Sequence, residues 1–192
     1  MKIALIGTHS TGKTTIIKNL AQELNAIGKK TLLVPELARF CPMPINEEAP
    51  LEAQIWIQEN QRQKEDELYE ADSILLCDRS TLDNFAYMQR VANNADIHQF
   101  ENLAVSHMNS YTLVFKTQKL DLAAKADGVR SVDESFRDEI DLKISNLLNK
   151  HRIYYYPLPP TIDYKVHVDF ILKKIEQTAP QCVLPIKLQN RP

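Results

Sequence analysis

Eight residues near the start of the chain, Gly7-Thr8-His9-Ser10-Thr11-Gly12-Lys13-Thr14, constrain its fold more than any others. They fit the pattern G-x-x-x-x-G-K-[ST]. An aliphatic run, Lys2 to Ile6, precedes them and a helical pattern follows from Lys13, which is the context the pattern requires. A loop of this kind wraps phosphate oxygens with inward-pointing N–H groups, and its glycines permit the close backbone approach that wrapping needs. Lys13 then supplies a mobile positive charge to the β and γ phosphates. Thr14 offers a hydroxyl to Mg²⁺, and the N-terminus of the first helix adds a partial positive charge. The loop together with Thr15 is therefore the expected binding segment for ATP or a close relative. The plain alternative is a Gly-containing turn that carries Lys and Thr by accident. At average composition four fixed positions coincide in roughly one chain in a hundred of this size, and the flanking elements lower that further. His9 stands where most residue types are allowed, and it receives no catalytic role at this stage.

Around that loop, short β-branched or aliphatic runs alternate with longer helical patterns, the signature of an α/β fold built on a mainly parallel sheet. The spacing predicts strands at Lys2–Ile6, Thr31–Val34, Ser73–Cys77, Tyr111–Lys116 and Ile153–Tyr156. It predicts helices at Lys13–Ile27, Leu51–Ala71, Leu82–Ala92, His98–Asn109, Glu134–Lys150 and Tyr164–Thr178. Of only four glycines, Gly7 and Gly12 sit in the phosphate loop, Gly28 sits where the first helix should end, and Gly128 lies in a polar connection. The segment Phe40–Pro50, with Pro42, Pro44 and Pro50, reads as an irregular loop over the open end of the sheet. A single domain over 1–178 is expected, with residues 179–192 as an irregular C-terminal extension.

Composition narrows the function classes. A net charge of −2 offers no overall positive field, so neither nucleic acid nor an anionic membrane is an expected partner. No aromatic-basic stripe suited to single strands is present; Tyr154-Tyr155-Tyr156 reads as a strand packing alternately into core and solvent. Cys41, Cys77 and Cys182 are an odd count without metal-ligand spacing, which fits a reducing compartment. The first strand begins directly after Met1, no run reaches membrane-spanning length, and a cytoplasmic location is the expectation.

Parallel sheets place ligands at the carboxyl ends of their strands, so the residues after each strand are the ones to inspect. After the second strand comes Pro35-Glu36-Leu37-Ala38-Arg39, and after the third Asp78-Arg79-Ser80. Asp78 ends an aliphatic strand as the acid of a Walker B element does when it holds Mg²⁺ or its water shell; the alternative is an aspartate capping the next helix. Glu36 would accept a proton from an attacking hydroxyl or hold the acceptor, against the reading of an ordinary loop carboxylate. Arg79 would pair with the acceptor or a phosphate through its planar fork, against an ion pair with a neighbouring acid, and Arg39 is a weaker candidate. Trp56 reads first as core and second as pocket wall.

Residues 118–132, from Gln118 to Ser131-Val132, form a long charged connection. Arg130 and Arg137, about two helical turns apart, would lie on one face of a flap that closes over the transferring phosphoryl group. The competing expectation is a solvated helix in which Arg137 pairs with Glu134 and Asp141.

The loop, Pro-Glu-x-Ala-Arg after the second strand, Asp-Arg-Ser after the third and Asp127-Gly-Val-Arg130 before a late helix together resemble the P-loop NTPase/kinase family of AAA-type ATPases that includes the ribosylnicotinamide kinase domain of NadR. The likeness spans most of residues 1 to 175, and the Glu and Asp-Arg-Ser placements are more distantly similar to deoxynucleoside and thymidylate kinases. The resemblance implies an ATP- and Mg²⁺-dependent, nucleoside/nucleotide-kinase-like fold with a lid, strand order 2-3-1-4-5, and a small hydroxylated acceptor such as a nucleoside or riboside. NadR carries further domains that a chain of 192 residues has no room for, so the acceptor does not carry over.

Two functions follow. A small-molecule kinase would use Lys13, Mg²⁺ and the lid arginines on the transferring group, with Glu36 or Asp78 orienting the acceptor. A nucleotide-gated binding module, ATPase or GTPase, would instead use the triphosphate to order the lid and expose a partner surface. A motor reading fits less well, with no second domain to convert closure into work. The chain carries no Asn-Lys-x-Asp guanine signature, and monomer and homodimer are both compatible with it.

Overall fold

The computed structural model describes residues 1–120 and 133–178. Five parallel strands, β1 (Lys2–Ile6), β2 (Thr31–Val34), β3 (Ile74–Asp78), β4 (Leu113–Lys116) and β5 (Tyr156–Pro157), form one sheet in the order β2-β3-β1-β4-β5. This is the order the resemblance implied. The helices are α1 (Lys13–Ala26), α2 (Leu51–Leu68), α3 (Thr81–Val91), α4 (His98–Met108), α5 (Glu134–Lys150) and α6 (Tyr164–Thr178). No helix among the described residues is long and apolar enough to cross a membrane.

Period-two alternation in β1 divides the core. Ile3 and Leu5 face Ile16, Leu20 and Leu24 of α1 and Val168 and Ile171 of α6. Ala4 and Ile6 face the opposite layer, with Ile57 of α2, Phe85 of α3 and Phe136, Ile140 and Ile144 of α5. The central strand is thus buried on both faces, as a strand pairing with β3 on one side and β4 on the other must be. Its carboxyl end delivers the phosphate loop to the middle of the sheet edge.

Several boundaries differ from the sequence expectation. The third strand runs one residue further, so that Asp78 is its last member rather than the residue after it. The fourth starts at Leu113, because Tyr111 closes the turn after α4 by donating its N–H to Met108 O at 3.2 Å. The fifth is only two residues long. Arg152 adopts φ +51° and Ile153 donates to Leu148 O at 2.9 Å, so the end of α5 holds 152–153 in a turn; Tyr154 points to solvent. Gly28, at φ +76°, closes α1 as expected, with Lys29 N–H on Leu24 O. The Pro-rich segment has no regular strand or α-helix; one 3-10 turn, Leu37–Phe40, leads into it and another, Asn46–Glu48, lies within it.

The α2 helix carries an unusual inner face. Gln54, Gln58, Gln61 and Glu65, spaced four, three and four apart, are all buried. Glu65 accepts hydrogen bonds from Tyr111 Oη (2.7 Å) and Gln61 Nε2 (2.7 Å), pairs with His107 Nε2 (2.8 Å) and is bridged by Lys2 Nζ (3.2 Å). Burial pushes the Glu65 carboxyl up, but the bonds from His107, Gln61 and Tyr111 outweigh it and hold the group below its ordinary range.

Candidate active site

The phosphate loop folds back on itself. Gly7 (φ +135°) and Gly12 (φ +81°) take conformations that L side chains rarely adopt. A Cβ at Gly7 would lie 2.4 Å from Thr117 Oγ1, and one at Gly12 2.8 Å from Tyr164 Cε1, so both positions are closed sterically as well. Thr117, just past β4, fastens the loop: its hydroxyl lies 2.7 Å from Thr11 Oγ1 and donates to Ile6 O at 3.1 Å. Lys13 Nζ donates to Gly7 O at 3.0 Å and Thr8 O at 2.6 Å. Burial, reinforced by the charge of Arg79 and opposed by Asp78, Glu36 and Asp83, brings the Lys13 ammonium down to about 7. The hydroxyls of Thr8 and Ser10 are buried with no hydrogen-bond partner among the described residues. Donors concentrated in a concave loop at a helix N-terminus suit a polyphosphate. Thr15, in the first turn of α1, is exposed.

Thr14 and Asp78 meet across the sheet edge: Thr14 Oγ1 donates to Asp78 Oδ2 at 2.5 Å, while Asp78 Oδ1 is buried without a partner among the described residues. The capping role named as the alternative for Asp78 belongs to other residues. Ser80 accepts from Leu82 and Asp83 N–H groups and Asp83 Oδ1 accepts from Ser80 N–H, a reciprocal box that starts α3. Asp78 is thereby left facing Thr14. A hydroxyl beside an unsatisfied carboxylate oxygen fits the coordination of Mg²⁺ with substrate phosphates and water completing the shell. No group of three or more His, Cys, Asp or Glu among the described residues forms a cage of its own.

Arg79, at φ +96°, turns away from Asp78 and is buried. Its Nε and Nη2 donate to Glu36 Oε1 at 2.9 and 2.7 Å, its Nη1 donates to Gly7 O at 3.2 Å and to Asp83 Oδ2 at 3.4 Å, and its guanidinium lies 4.9 Å from the Tyr87 ring centroid. Glu36 also accepts from Arg39 Nε at 3.1 Å. The neighbouring-acid expectation for Arg79 therefore describes its contacts, and Glu36 is held by two arginines rather than standing as a loose loop carboxylate. Behind this pair lies a cavity of about 30 Å³, room for about two waters, whose walls include Ala38, Ile45, Asn46, Gln54, Asn84 and His9. Asn84 Nδ2 is buried there without a partner among the described residues.

Lys13, Thr14, Asp78, Arg79 and Glu36 are thus one continuous group. Arg137 lies in the first turn of α5, buried, with Nη1 donating to Glu134 Oε1 at 2.6 Å. This is the helix ion pair that the competing expectation named, except that Asp141 pairs with Lys116 instead. Arg130 and residues 121–132 of the expected lid lie outside the described residues, as does the 179–192 extension. Trp56 packs partly buried against the core, and Gln54 and Ile57 take the wall position beside it. The sequence reading passed over Asn84, Tyr87 and Thr117, and it placed His9 in the phosphate-binding loop, where it also lines this cavity. Asn84 and Tyr87 sit four and seven residues beyond Ser80 on one face of α3, a spacing that pointed toward the pocket.

Among solved structures, the chain is similar to NadR in complex with NR (TM-score 0.69, 19% identity, covering 90% of this chain and 50% of that one). It is also similar to deoxyadenosine kinase from M. mycoides (TM-score 0.64, 16% identity, 92% and 100% coverage) and thymidylate kinase from Ehrlichia chaffeensis (0.63, 17%, 91% and 98%). The chain spans about half of NadR's length. No curated protein sequence matches it. The structural neighbours are nucleoside and nucleotide kinases, and at these identities the likeness is one of fold. The model of the AAA domain family matches residues 2–165, and with the loop, the strand order and Asp78 at the end of β3 in place, the chain belongs to that family of P-loop NTPases.

Proposed function

We propose that the protein is an ATP- and Mg²⁺-dependent phosphotransferase acting on a small hydroxylated acceptor, a nucleoside or riboside. One observation carries the reading: Arg79 joins the two halves of the site, with Nη1 on the Gly7 carbonyl of the phosphate loop and Nε and Nη2 on Glu36 in the cavity wall. A protein that only binds nucleotide has no need of a second cavity, walled in part by Glu36, Gln54, Arg79 and Asn84, hinged to its phosphate loop.

In this reading Lys13 exchanges the carbonyls of Gly7 and Thr8 for β and γ phosphate oxygens, and the loop N–H groups hold the rest of the polyphosphate. Thr14 and Asp78 would hold the divalent ion, which would supply neutralising charge to the triphosphate. Glu36, fixed by Arg79 and Arg39, orients the acceptor hydroxyl in line and takes its proton late in the transfer. Admission of a nucleoside to a cavity this small requires the wall formed by Ala38, Arg39, Ile45 and Asn46 to move outward, and that wall is the irregular one. Arg130 would reach the transferring group from the lid, and Arg137 would support the lid's end. Residues 1–178 act as one domain, in the cytoplasm, as a monomer or homodimer, without nucleic acid or membrane.

The test is ADP release measured over a panel of nucleosides and ribosides with Mg·ATP, with Lys13→Ala as control. At least one acceptor should raise turnover well above acceptor-free hydrolysis in the wild type and not in the variant. Nucleotide binding with no acceptor raising turnover would replace the kinase with a nucleotide-gated binding module.

A further inference from the structure

We infer that Asn84 selects the acceptor by an amide-like edge, pairing its side-chain amide with a hydrogen-bond donor and acceptor that the substrate carries side by side on its base or substituent. This rests on the kinase reading and deepens it. Asn84 is the fourth residue of α3 and lines the cavity behind Glu36 and Arg79, 3% exposed. Its backbone is fixed: the Ser80–Asp83 box starts the helix, and Asn84 N–H donates to Ser80 O at 3.2 Å. Tyr87, three residues on, lines the same cavity, while Leu82, Phe85 and Ala86 belong to the core. Helical register therefore presents Asn84 to the cavity.

The charged groups of the cavity wall are committed to one another. Arg79 Nε and Nη2 donate to Glu36 Oε1, and Arg39 Nε donates to Glu36 Oε2. Asn84 stands outside this network: its Nδ2 is buried and meets no acceptor among the described residues. Burying an unpaired amide is unfavourable, and asparagine is a weaker helix former than alanine, so neither effect favours this residue in the free protein. A buried polar group left open at the wall of a substrate cavity is satisfied when the substrate brings the partner, and a substrate without that partner is rejected.

An amide offers N–H donors and a carbonyl oxygen in one plane, and turning it end for end leaves that offer unchanged. Its complement is a donor beside an acceptor: the C=O and N–H of a ring lactam or a carboxamide, or a ring nitrogen beside an amino group. A lone hydroxyl would use half of the amide, and an apolar base none. Gln54 of α2, 4% exposed, brings a second amide to the same cavity. The uncharged part of the wall thus suits a neutral heterocycle, with the Glu36–Arg79 pair reserved for the reacting hydroxyl.

The test measures kcat/KM with Mg·ATP for wild type, Asn84→Ala and Asn84→Asp on paired acceptors. The pairs are uridine with 3-methyluridine, inosine with 1-methylinosine, and a carboxamide-bearing riboside with its N,N-dimethylamide; cytidine and adenosine serve as the amino counterparts of uridine and inosine. In wild type, methylating the edge of an accepted substrate should lower kcat/KM about tenfold or more. Asn84→Ala should lower the unmethylated member by a similar factor and bring the pair within about threefold of each other. Asn84→Asp, whose carboxylate only accepts, should move preference from the oxo toward the amino counterpart. A residue that merely holds the wall would lower both members of a pair alike. An unchanged methylation ratio in Asn84→Ala, a wild type indifferent to methylation, or an acceptor lacking such an edge overturns the assignment. Where Asn84→Ala does not fold, an unmoved oxo-to-amino preference in Asn84→Asp overturns it instead. If wild type turns over no acceptor, it is the kinase reading that has failed. Nucleotide-induced thermal stabilisation confirms that each variant is folded.

Discussion

Binding of Mg·triphosphate should be accompanied by proton uptake at Lys13. In the free protein burial and the Arg79 charge bring this ammonium to about 7, and its hydrogen bonds go to the Gly7 and Thr8 carbonyls. A bound polyphosphate supplies several negative charges at the same point and restores the protonated form across the neutral and mildly alkaline range. The uptake then equals the neutral fraction before binding, about 0.1 proton at pH 6, about 0.5 at pH 7 and about 0.9 at pH 8. The affinity consequence follows by linkage: between pH 7 and pH 9 the Kd should weaken about fiftyfold, or about 2 kcal/mol. Isothermal titration calorimetry in two buffers of different ionisation enthalpy reads the proton count directly, with a non-hydrolysable analogue and saturating Mg²⁺ so that the γ phosphate does not titrate. Lys13→Ala should bind far more weakly, with no such pH slope when titrated at high nucleotide concentration. The same shift acts on folding with the opposite appearance. Because the unfolded lysine keeps its proton up to 10.5 and the native one releases it near 7, the free protein gains stability as pH rises between those values. An uptake below about 0.3 proton at pH 8 would refute the claim that the loop interior depresses Lys13.

Three further outcomes are expected. Thr14→Ala and Asp78→Asn should each raise the Mg²⁺ concentration for half-maximal turnover by about tenfold or more, read from metal titrations at fixed ATP; an unchanged midpoint would remove both from the metal site. Glu65→Leu strands the buried Lys2 ammonium and should cost about 3–5 kcal/mol in urea unfolding, and since the Glu65 carboxyl is held low, its contribution is complete above pH 4.5 and disappears as pH falls through the native value; a loss below about 1 kcal/mol would contradict the buried pairing. Gly7→Ala should destabilise by about 1–3 kcal/mol from backbone strain alone, plus the clash with Thr117 Oγ1 at 2.4 Å. Adding Thr117→Ala should then recover part of the loss, whereas strictly additive losses would show that the two residues do not meet.

What the residues disclosed and what they concealed divides along physical lines. The phosphate loop, the five strands and six helices were readable because backbone requirements and apolar periodicity are local. Glu36, Asp78 and Arg79 were readable as neighbours because the ends of adjacent parallel strands converge, although the partners of Arg79 were not: a guanidinium's choice between acids depends on distances that no spacing encodes. Arg137 looked like a mobile cation because its charge outweighed its position on the core face of α5 beside Phe136 and Ile140. His9 was readable as a member of the phosphate-binding loop but not as a cavity wall, since loop positions carry no periodicity and its packing against Tyr87 and Phe136 is tertiary. The inner face of α2 was missed for a different reason. Gln54, Gln58, Gln61 and Glu65 keep strict helical spacing, but a search for apolar stripes discards a polar one.

Asp78, Arg79 and Ser80 are consecutive, yet each serves a separate neighbour: Thr14, Glu36 and the first turn of α3. The left-handed backbone at Arg79 is what lets three adjoining side chains diverge so widely. Insertion or deletion of a single residue at this junction would misdirect all three at once, whereas the cavity wall opposite, made of proline-rich chain and 3-10 turns, has no such register to lose. Redesign of this scaffold for a different acceptor would therefore begin at residues 38–46 and leave the β3–α3 corner as it stands.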